Sequence, residues 1–238
     1  MIQQLENRKI VIAGGTSGIG LALATTLVQD KALVTVIGRD PAKIEKLKID
    51  FPAINAIGLD ARDRSALEDF FRKEKQIDHL VIALSGGKGG GMFNTLSLSD
   101  LREGFESKFW PHLNVLQAAL PYMHPTGSIT LITAISATAK LPGTAGLAAI
   151  NGALELMVPI LSRELAPLRI NAVSPGVIDT PWWDFLPEAV KKETFTGFAS
   201  KVAAGRVGRP EEVAETIRHL IVTEYINGVI IGCHGGLN

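Results

Sequence analysis

Short runs rich in Val, Ile and Ala alternate along this chain with longer stretches of helical periodicity, and that alternation leaves few folds open. KIVIAG (9–14), ALVTVIG (32–38), INAIGLD (54–60), HLVIALS (79–85), SITLITAI (128–135), LRINAVSP (168–175) and GVIIGCHGG (228–236) read as strands. Runs this apolar suit strands buried on both faces. Between them stand the helical patterns LALATTLVQD, PAKIEKLKIDF, SALEDFFRKE, an amphipathic stretch over about 99–123, GLAAINGALELMVPILSRELAP and PEEVAETIRHLIV. Strands alternating with helices predict an α/β fold in which helices cover both faces of a parallel sheet. No linker or repeat divides the chain, so one domain over 1–238 is expected. The one biased segment, GGKGGG (86–91), is too short for a linker and reads as a flexible loop at the carboxyl end of the fourth strand.

Charge and cysteine usage narrow the function classes. The net charge is +0, which gives no electrostatic reason to expect nucleic acid or an anionic membrane as partner. Cys233 is the one cysteine, so no internal disulfide forms and a reducing compartment is expected. The opening MIQQLENRK has no apolar core of a signal peptide, and no uninterrupted apolar run reaches the roughly 18 residues of a membrane span. Together these features predict a cytoplasmic protein with no membrane association. The five His are scattered and Cys233-His234 is too small a set for a metal site, so no metal is expected. No Gly-x-Ser-x-Gly elbow of a hydrolase is present.

The first strand runs directly into Gly14-Gly15-Thr16-Ser17-Gly18-Ile19-Gly20, which opens a helix. Glycines at 14, 18 and 20 let backbone approach a pyrophosphate, and the helix N-terminus presents free N–H groups to it. The strand-turn-helix context is the one a dinucleotide requires. Thr16, Ser17 and Ile19 belong to the same turn. Arg39 follows the second strand, 19 residues past Gly20, where an acidic residue would bind the ribose of NAD and an Arg suits a 2′-phosphate. Gly38 holds the place an acid would take, but Asp40 follows at once; a solvated Arg after a strand is the alternative. NADP(H) is therefore expected in preference to NAD(H). Asp60, ending the third strand, is a candidate for the adenine amino group or else an ordinary loop carboxylate.

With GGTSGIG (14–20), the Asp60 position, RINAVSPGVIDTP (169–181) and GRVGRPEEVAE (205–215), nearly the whole chain resembles the short-chain dehydrogenase/reductase family. The resemblance implies a single doubly wound Rossmann-type domain with a seven-stranded parallel sheet. It also implies hydride transfer between a nicotinamide and a small carbonyl or alcohol. Ala61, Leu84 and Ser85 are placed along the cofactor with Asp60. Pro175, Gly176, Ile178 and Thr180 would line the nicotinamide, the Ile178 backbone and Thr180 hydroxyl holding its carboxamide. Residues 181–205 would form a substrate lid, with Trp182, Trp183, Phe185 and Phe195 as its apolar face or as plain packing.

The family's Ser, Tyr and Lys are missing. Aligned on ALELMVPILSRELAPLRINAVSPG, Ala134 stands at the Ser place, Leu147 at the Tyr place and Asn151 at the Lys place. The chain has two tyrosines, Tyr122 and Tyr225, and four residues after them stand Thr126 and Val229. No Lys occurs between Lys140 and Lys191. IALSGG (82–87) replaces the usual Asn-Asn-Ala-Gly, and Lys108 reads at the helix Asn place. A reductase with a rearranged acid would draw it from Lys108, whose pKa falls if it is desolvated. Ser136 and Thr133 are the hydroxyl candidates, and Asn151 is a candidate for the ribose. The alternatives are a solvated Lys108, ordinary Ser136 and Thr133, and a structural or exposed His112. For the whole chain they are an NADP(H)-binding sensor or assembly subunit, or elimination or isomerisation on the same scaffold.

Ala148, Ala149, Gly152 and Ala153 permit close approach, and Leu154, Leu156, Met157, Ile160 and Leu161 continue an apolar helix without a wide polar face. Such a helix must be buried. In the family this helix joins subunits, so a homodimer or homotetramer is expected.

Overall fold

The structure is a computed structural model that describes residues 4–237. Seven strands form one parallel sheet in the order β3-β2-β1-β4-β5-β6-β7. They are β1 (Lys9–Ala13), β2 (Leu33–Gly38), β3 (Asn55–Gly58), β4 (Ile77–Ile82), β5 (Met123–Ile132), β6 (Arg169–Pro175) and β7 (Ile230–Cys233). The helices are α1 (Gly18–Gln29), α2 (Pro41–Asp50), α3 (Arg64–Glu74), α4 (Leu98–Gly104), α5 (Trp110–Ala119), α6 (Ala145–Glu164), α7 (Glu188–Ala199) and α8 (Pro210–Val222).

Alternate residues of each strand build two cores. Ile10 and Ile12 of β1 join Val34 and Val36 of β2 under α1, α2 and α8. Val11 and Ala13 join Leu80, Ile82, Ile129 and Leu131 under α3, α5 and α6. This double coverage explains why the strands read as unbroken apolar runs. The chain leaves β1 toward β2 and later returns to β1's other side with β4. The crevice at the carboxyl ends of β1 and β4 is where open sheets of this kind bind ligands.

Several expectations shift. β5 begins at Met123 rather than 128 and ends at Ile132, so Ile135 lies with Ser136 in a 3₁₀ turn (135–137) and not in the strand. The amphipathic stretch at 99–123 is not one regular helix. Between α4 and α5 it takes a π-helical turn, Phe105–Phe109, and it ends in a 3₁₀ turn, Leu120–Tyr122. Pro111 has no N–H to return to the Ser107 carbonyl, which interrupts the α ladder at this point.

Within one chain α6 buries one face only. Ile150, Asn151, Leu154, Glu155 and Val158 face inward at three- and four-residue spacing, while Leu156 and Ile160 keep 73% and 57% of their surface exposed. By length and mean hydropathy, 1.5 over 18 residues, α6 is long and apolar enough to cross a membrane. Here it lies along β6 and the π turn.

Candidate active site

The glycine turn after β1 has no room for a Cβ at Gly14, Gly15 or Gly20. Gly14 has φ +87°, and a Cβ there would lie 2.6 Å from the Ala83 carbonyl oxygen beyond β4. A Cβ on Gly20 would strike the Gly14 carbonyl. Ser17 precedes the first turn of α1 and makes no side-chain cap, so the first N–H groups of the helix have no capping acceptor there. Thr180, after β6, packs against Gly18, 3.2 Å from where a Cβ would stand. The turn and the segment following β6 thus form two sides of one crevice.

After β2, Arg39 and Asp40 differ in what they bind. Asp40 Oδ1 accepts from the N–H groups of Ala42 and Lys43, at 3.0 and 3.3 Å, and caps α2. Arg39 is exposed. Gly38 is covered by Thr16, whose Cγ2 lies 2.6 Å from where a Cβ would be. The Asp60 carboxylate is gripped by Arg62, with Nε at 3.1 Å from both oxygens and Nη2 at 2.5 Å. That contact, against the opposing effect of partial burial, holds the Asp60 carboxyl below its ordinary range; Arg39 adds to the lowering. Two guanidinium groups, of Arg62 and Arg39, thus act on one carboxylate here. Ala61 turns its carbonyl to Asn114 Nδ2 at 3.3 Å.

The loop after β4 contains Leu84 and Ser85, with Gly86 lying over the π turn. A Cβ on Gly86 would be 2.6 Å from Ser107 Oγ and 3.4 Å from Lys108 Cβ. Lys108 itself is buried, 9% exposed, and its Nζ donates to the Thr133 carbonyl at 3.2 Å. Burial pushes its pKa down to about 8, and the Glu155 carboxylate opposes that fall. His112, one turn on, is fully buried and donates from Nδ1 to the Lys108 carbonyl at 2.7 Å. Burial, then the neighbouring Lys108 charge, hold its pKa near 3, so it is a neutral structural imidazole.

Thr133, one of the two hydroxyl candidates, has its hydroxyl engaged within the protein. Its hydroxyl is buried and donates to Glu155 Oε1 at 2.6 Å, with a longer contact to the Val173 carbonyl at 3.2 Å. Ser174 Oγ donates to the same Glu155 oxygen at 2.9 Å. Ser136 and Asn151 meet instead in a second cluster, in which Asn151 Nδ2 donates to Ser136 Oγ at 3.1 Å and to the Leu147 carbonyl at 3.0 Å. Asn151 is 3% exposed, and its Oδ1 is buried without a hydrogen-bond partner. Leu147, Asn151 and Glu155 follow one another at successive turns of α6.

Sequence reasoning gave Glu155 no role, nor Ser174 and Arg62. For Glu155 a signal existed: a lone carboxylate within an apolar helix needs partners. After β6, Pro175 ends the strand, Gly176 packs against His234, and Ile178 is buried, its carbonyl accepting from Trp183 Nε1 at 3.0 Å. In the expected lid, the aromatics pack mainly on one another: Trp182 meets Trp183 edge-on at 4.7 Å, and Trp183 meets Phe195 at 5.6 Å. Trp182 Nε1 donates to the Gly86 carbonyl at 3.3 Å, which joins this segment to the loop after β4. Lys191 pairs with Asp179 and Asp184, at 3.2 and 3.4 Å. Hollows of about 230 and 440 Å³ lie at the amino ends of the strands, away from this crevice, lined by Lys9, Leu33 and Asn55, and by Gln4, Arg8 and Asp78.

Comparison with known proteins agrees with this arrangement. Residues 13–238 match the family described as enoyl-(acyl carrier protein) reductase. The chain is 31% identical to the 3-oxoacyl-[acyl-carrier-protein] reductase FabG of Thermotoga maritima, over 98% of this chain and 99% of that one. It is similar to a small-chain dehydrogenase solved in complex with NADPH, at 26% identity and TM-score 0.85, covering 98% and 99% of the two chains. It is also similar to a short-chain dehydrogenase/reductase of Brucella melitensis, at 26% identity and TM-score 0.89, covering 100% and 99%. With this fold, glycine turn and whole-length likeness, the chain belongs to the short-chain dehydrogenase/reductase family of oxidoreductases, which bind a nicotinamide cofactor.

Proposed function

We propose that this protein is an NADP(H)-dependent reductase of small carbonyl compounds, or the reverse dehydrogenase, in which Lys108 replaces the family's tyrosine as proton donor. The observation that carries the reading is a buried lysine beside the crevice with its pKa lowered to about 8. The residues present fit the cofactor. The glycine turn is a cradle that a Cβ would fill, and Asn151 Oδ1 is a buried acceptor without a partner. Gly14, Thr16, Ser17, Gly18, Ile19 and Gly20 would hold the pyrophosphate, and Asp60, Ala61, Leu84 and Ser85 the adenosine side. Pro175, Gly176, Ile178 and Thr180 would lie along the nicotinamide, with Asn151 on its ribose. Arg39, joined by Arg62, favours a 2′-phosphate and hence NADP(H).

When bound, the nicotinamide supplies or accepts a hydride. Lys108 delivers a proton to the carbonyl oxygen, is left as a neutral amine, and regains its proton from water. Ser136, which accepts from Asn151, would bind the substrate oxygen. The segment at 181–205 acts as the lid. Exposed Trp182 and Phe185, with Met92 and Phe93 on the loop after β4, favour an apolar carbonyl substrate.

The test is NADPH and NADH titration by fluorescence, followed by a carbonyl panel read by NADPH oxidation, with Lys108→Met beside the parent. Turnover by the parent and its loss in the variant support the reading. Tight NADPH binding with no turnover on any carbonyl replaces it with a cofactor-binding protein without dehydrogenase activity.

A further inference from the structure

Glu155 has no part in the reaction as written above, yet a carboxylate 9% exposed on the inner face of α6 needs a reason to be there. Both hydroxyls that reach it, from Thr133 and Ser174, end on Oε1, and they come from the carboxyl ends of neighbouring strands β5 and β6. Thr133 faces two ways. Its hydroxyl donates to Glu155, and its carbonyl, in the same residue, receives Lys108 Nζ at 3.2 Å.

We propose that Glu155 is a positioning residue that acts on Lys108 across Thr133, fixing the carbonyl to which the lysine binds and keeping that side chain in its proton-bearing form. The proposal rests on the reading of Lys108 as proton donor. A buried ammonium surrounded only by apolar groups loses its proton near neutral pH, and a lysine without that proton has nothing to deliver. The charged group opposing this around Lys108 is Glu155 on α6. His112, on the lysine's own helix, stays neutral near pH 7, and Thr133 on the strand side is uncharged. The arrangement is economical: one carboxylate, anchored by two strands, orients a carbonyl and supplies a counter-charge without forming an ion pair that would tie up the ammonium.

The deciding measurement uses cofactor-free protein with ¹³C,¹⁵N-labelled lysines, following the Lys108 ε signal with pH; Lys108→Met assigns it. Glu155→Gln keeps the size and an oxygen acceptor but removes the charge. Lys108 is expected to titrate lower than in the parent by about one pH unit or more in this variant. In Glu155→Asp, which keeps the charge, it should stay close to the parent value. In turnover, the alkaline limit of carbonyl reduction should move to lower pH in Glu155→Gln by the same amount. A brace between β5 and β6 alone would move stability but not the Lys108 titration. Should the Gln variant not fold, Glu155→Leu leaves no buried amide to satisfy and is read in the same way. Lys108 titrating at the parent's pH in a folded, charge-free variant overturns the proposal. A parent inactive on every carbonyl overturns the proposed reaction, while the titration still decides the role of Glu155.

Discussion

Lys108 and Glu155 stand on opposite sides of Thr133, the ammonium bonded to its carbonyl and the carboxylate to its hydroxyl. The two charges influence one another without touching, and the lysine's pKa falls to about 8 rather than further.

The first expectation concerns rate. If Lys108 donates the proton, Lys108→Met should lower kcat for carbonyl reduction by roughly 10²–10⁴, with little change in the NADPH dissociation constant. In the parent the reduction rate should be lost as pH rises through about 8, because the proton-bearing form disappears there. A variant with the parent's rate and alkaline limit would remove Lys108 from the chemistry.

Arg39 sets the second. It is exposed after β2, with the competing carboxylate of Asp40 committed to the α2 cap. Arg39→Ala should weaken NADPH binding by roughly 10- to 100-fold, the worth of a charge-assisted contact, and leave NADH nearly unchanged. Fluorescence titration of both cofactors measures it; a parent that prefers NADH would refute the 2′-phosphate role.

A third follows from the outer face of α6. Leu156 and Ile160, with Trp110 at 49% exposure, leave large apolar side chains uncovered in a single chain. The parent should sediment as a dimer or tetramer, and Leu156→Glu with Ile160→Glu should release monomers at micromolar concentration. A parent monomer would contradict the assembly expected from the sequence.

The fourth is a pH dependence of stability. His79 and His112 are buried and neutral, with pKa values pushed to about 4 and about 3, mainly by desolvation. Both lie below the unfolded value near 6.5, so above that pH neither changes stability. As pH falls below 6.5 the unfolded chain binds protons that the folded chain refuses, and stability declines toward pH 4. Each histidine contributes at most about 1.4 kcal/mol per pH unit. Urea midpoints between pH 7 and 4.5 should fall accordingly, and His79→Phe should flatten the slope by about one proton.

The glycine turn, the succession of seven strands along the chain and the α8 boundaries at Pro210–Val222 were all legible in the sequence. Each depends on local chemistry: a backbone conformation that bulky residues resist, a run of apolar residues, a proline at a helix start. The absence of a Tyr-x-x-x-Lys pair was equally legible, because it is a matter of counting. The start of β5 was read at Ser128, where regular pairing with β4 begins; Met123 already pairs with Ile77, and the ladder shifts register between the two. The sequence also left Arg39 and Asp40 unresolved, since only a folded α2 uses Asp40 as its cap.

The linkage of Lys108 to Glu155 belongs wholly to the tertiary structure. The residues that meet at Thr133 are separated by 25 and 22 positions, and Ser174 by 19 from Glu155. No periodicity spans such distances. By itself the sequence determined the fold class, the glycine turn and the absence of a Tyr-x-x-x-Lys pair, because each is written in neighbouring residues. Whether a lysine in a helix is solvated or desolvated, and which carboxylate faces it, was decided by the packing of α6 and the π turn against the ends of β5 and β6. There the removal of water turns ordinary charges into strongly interacting ones.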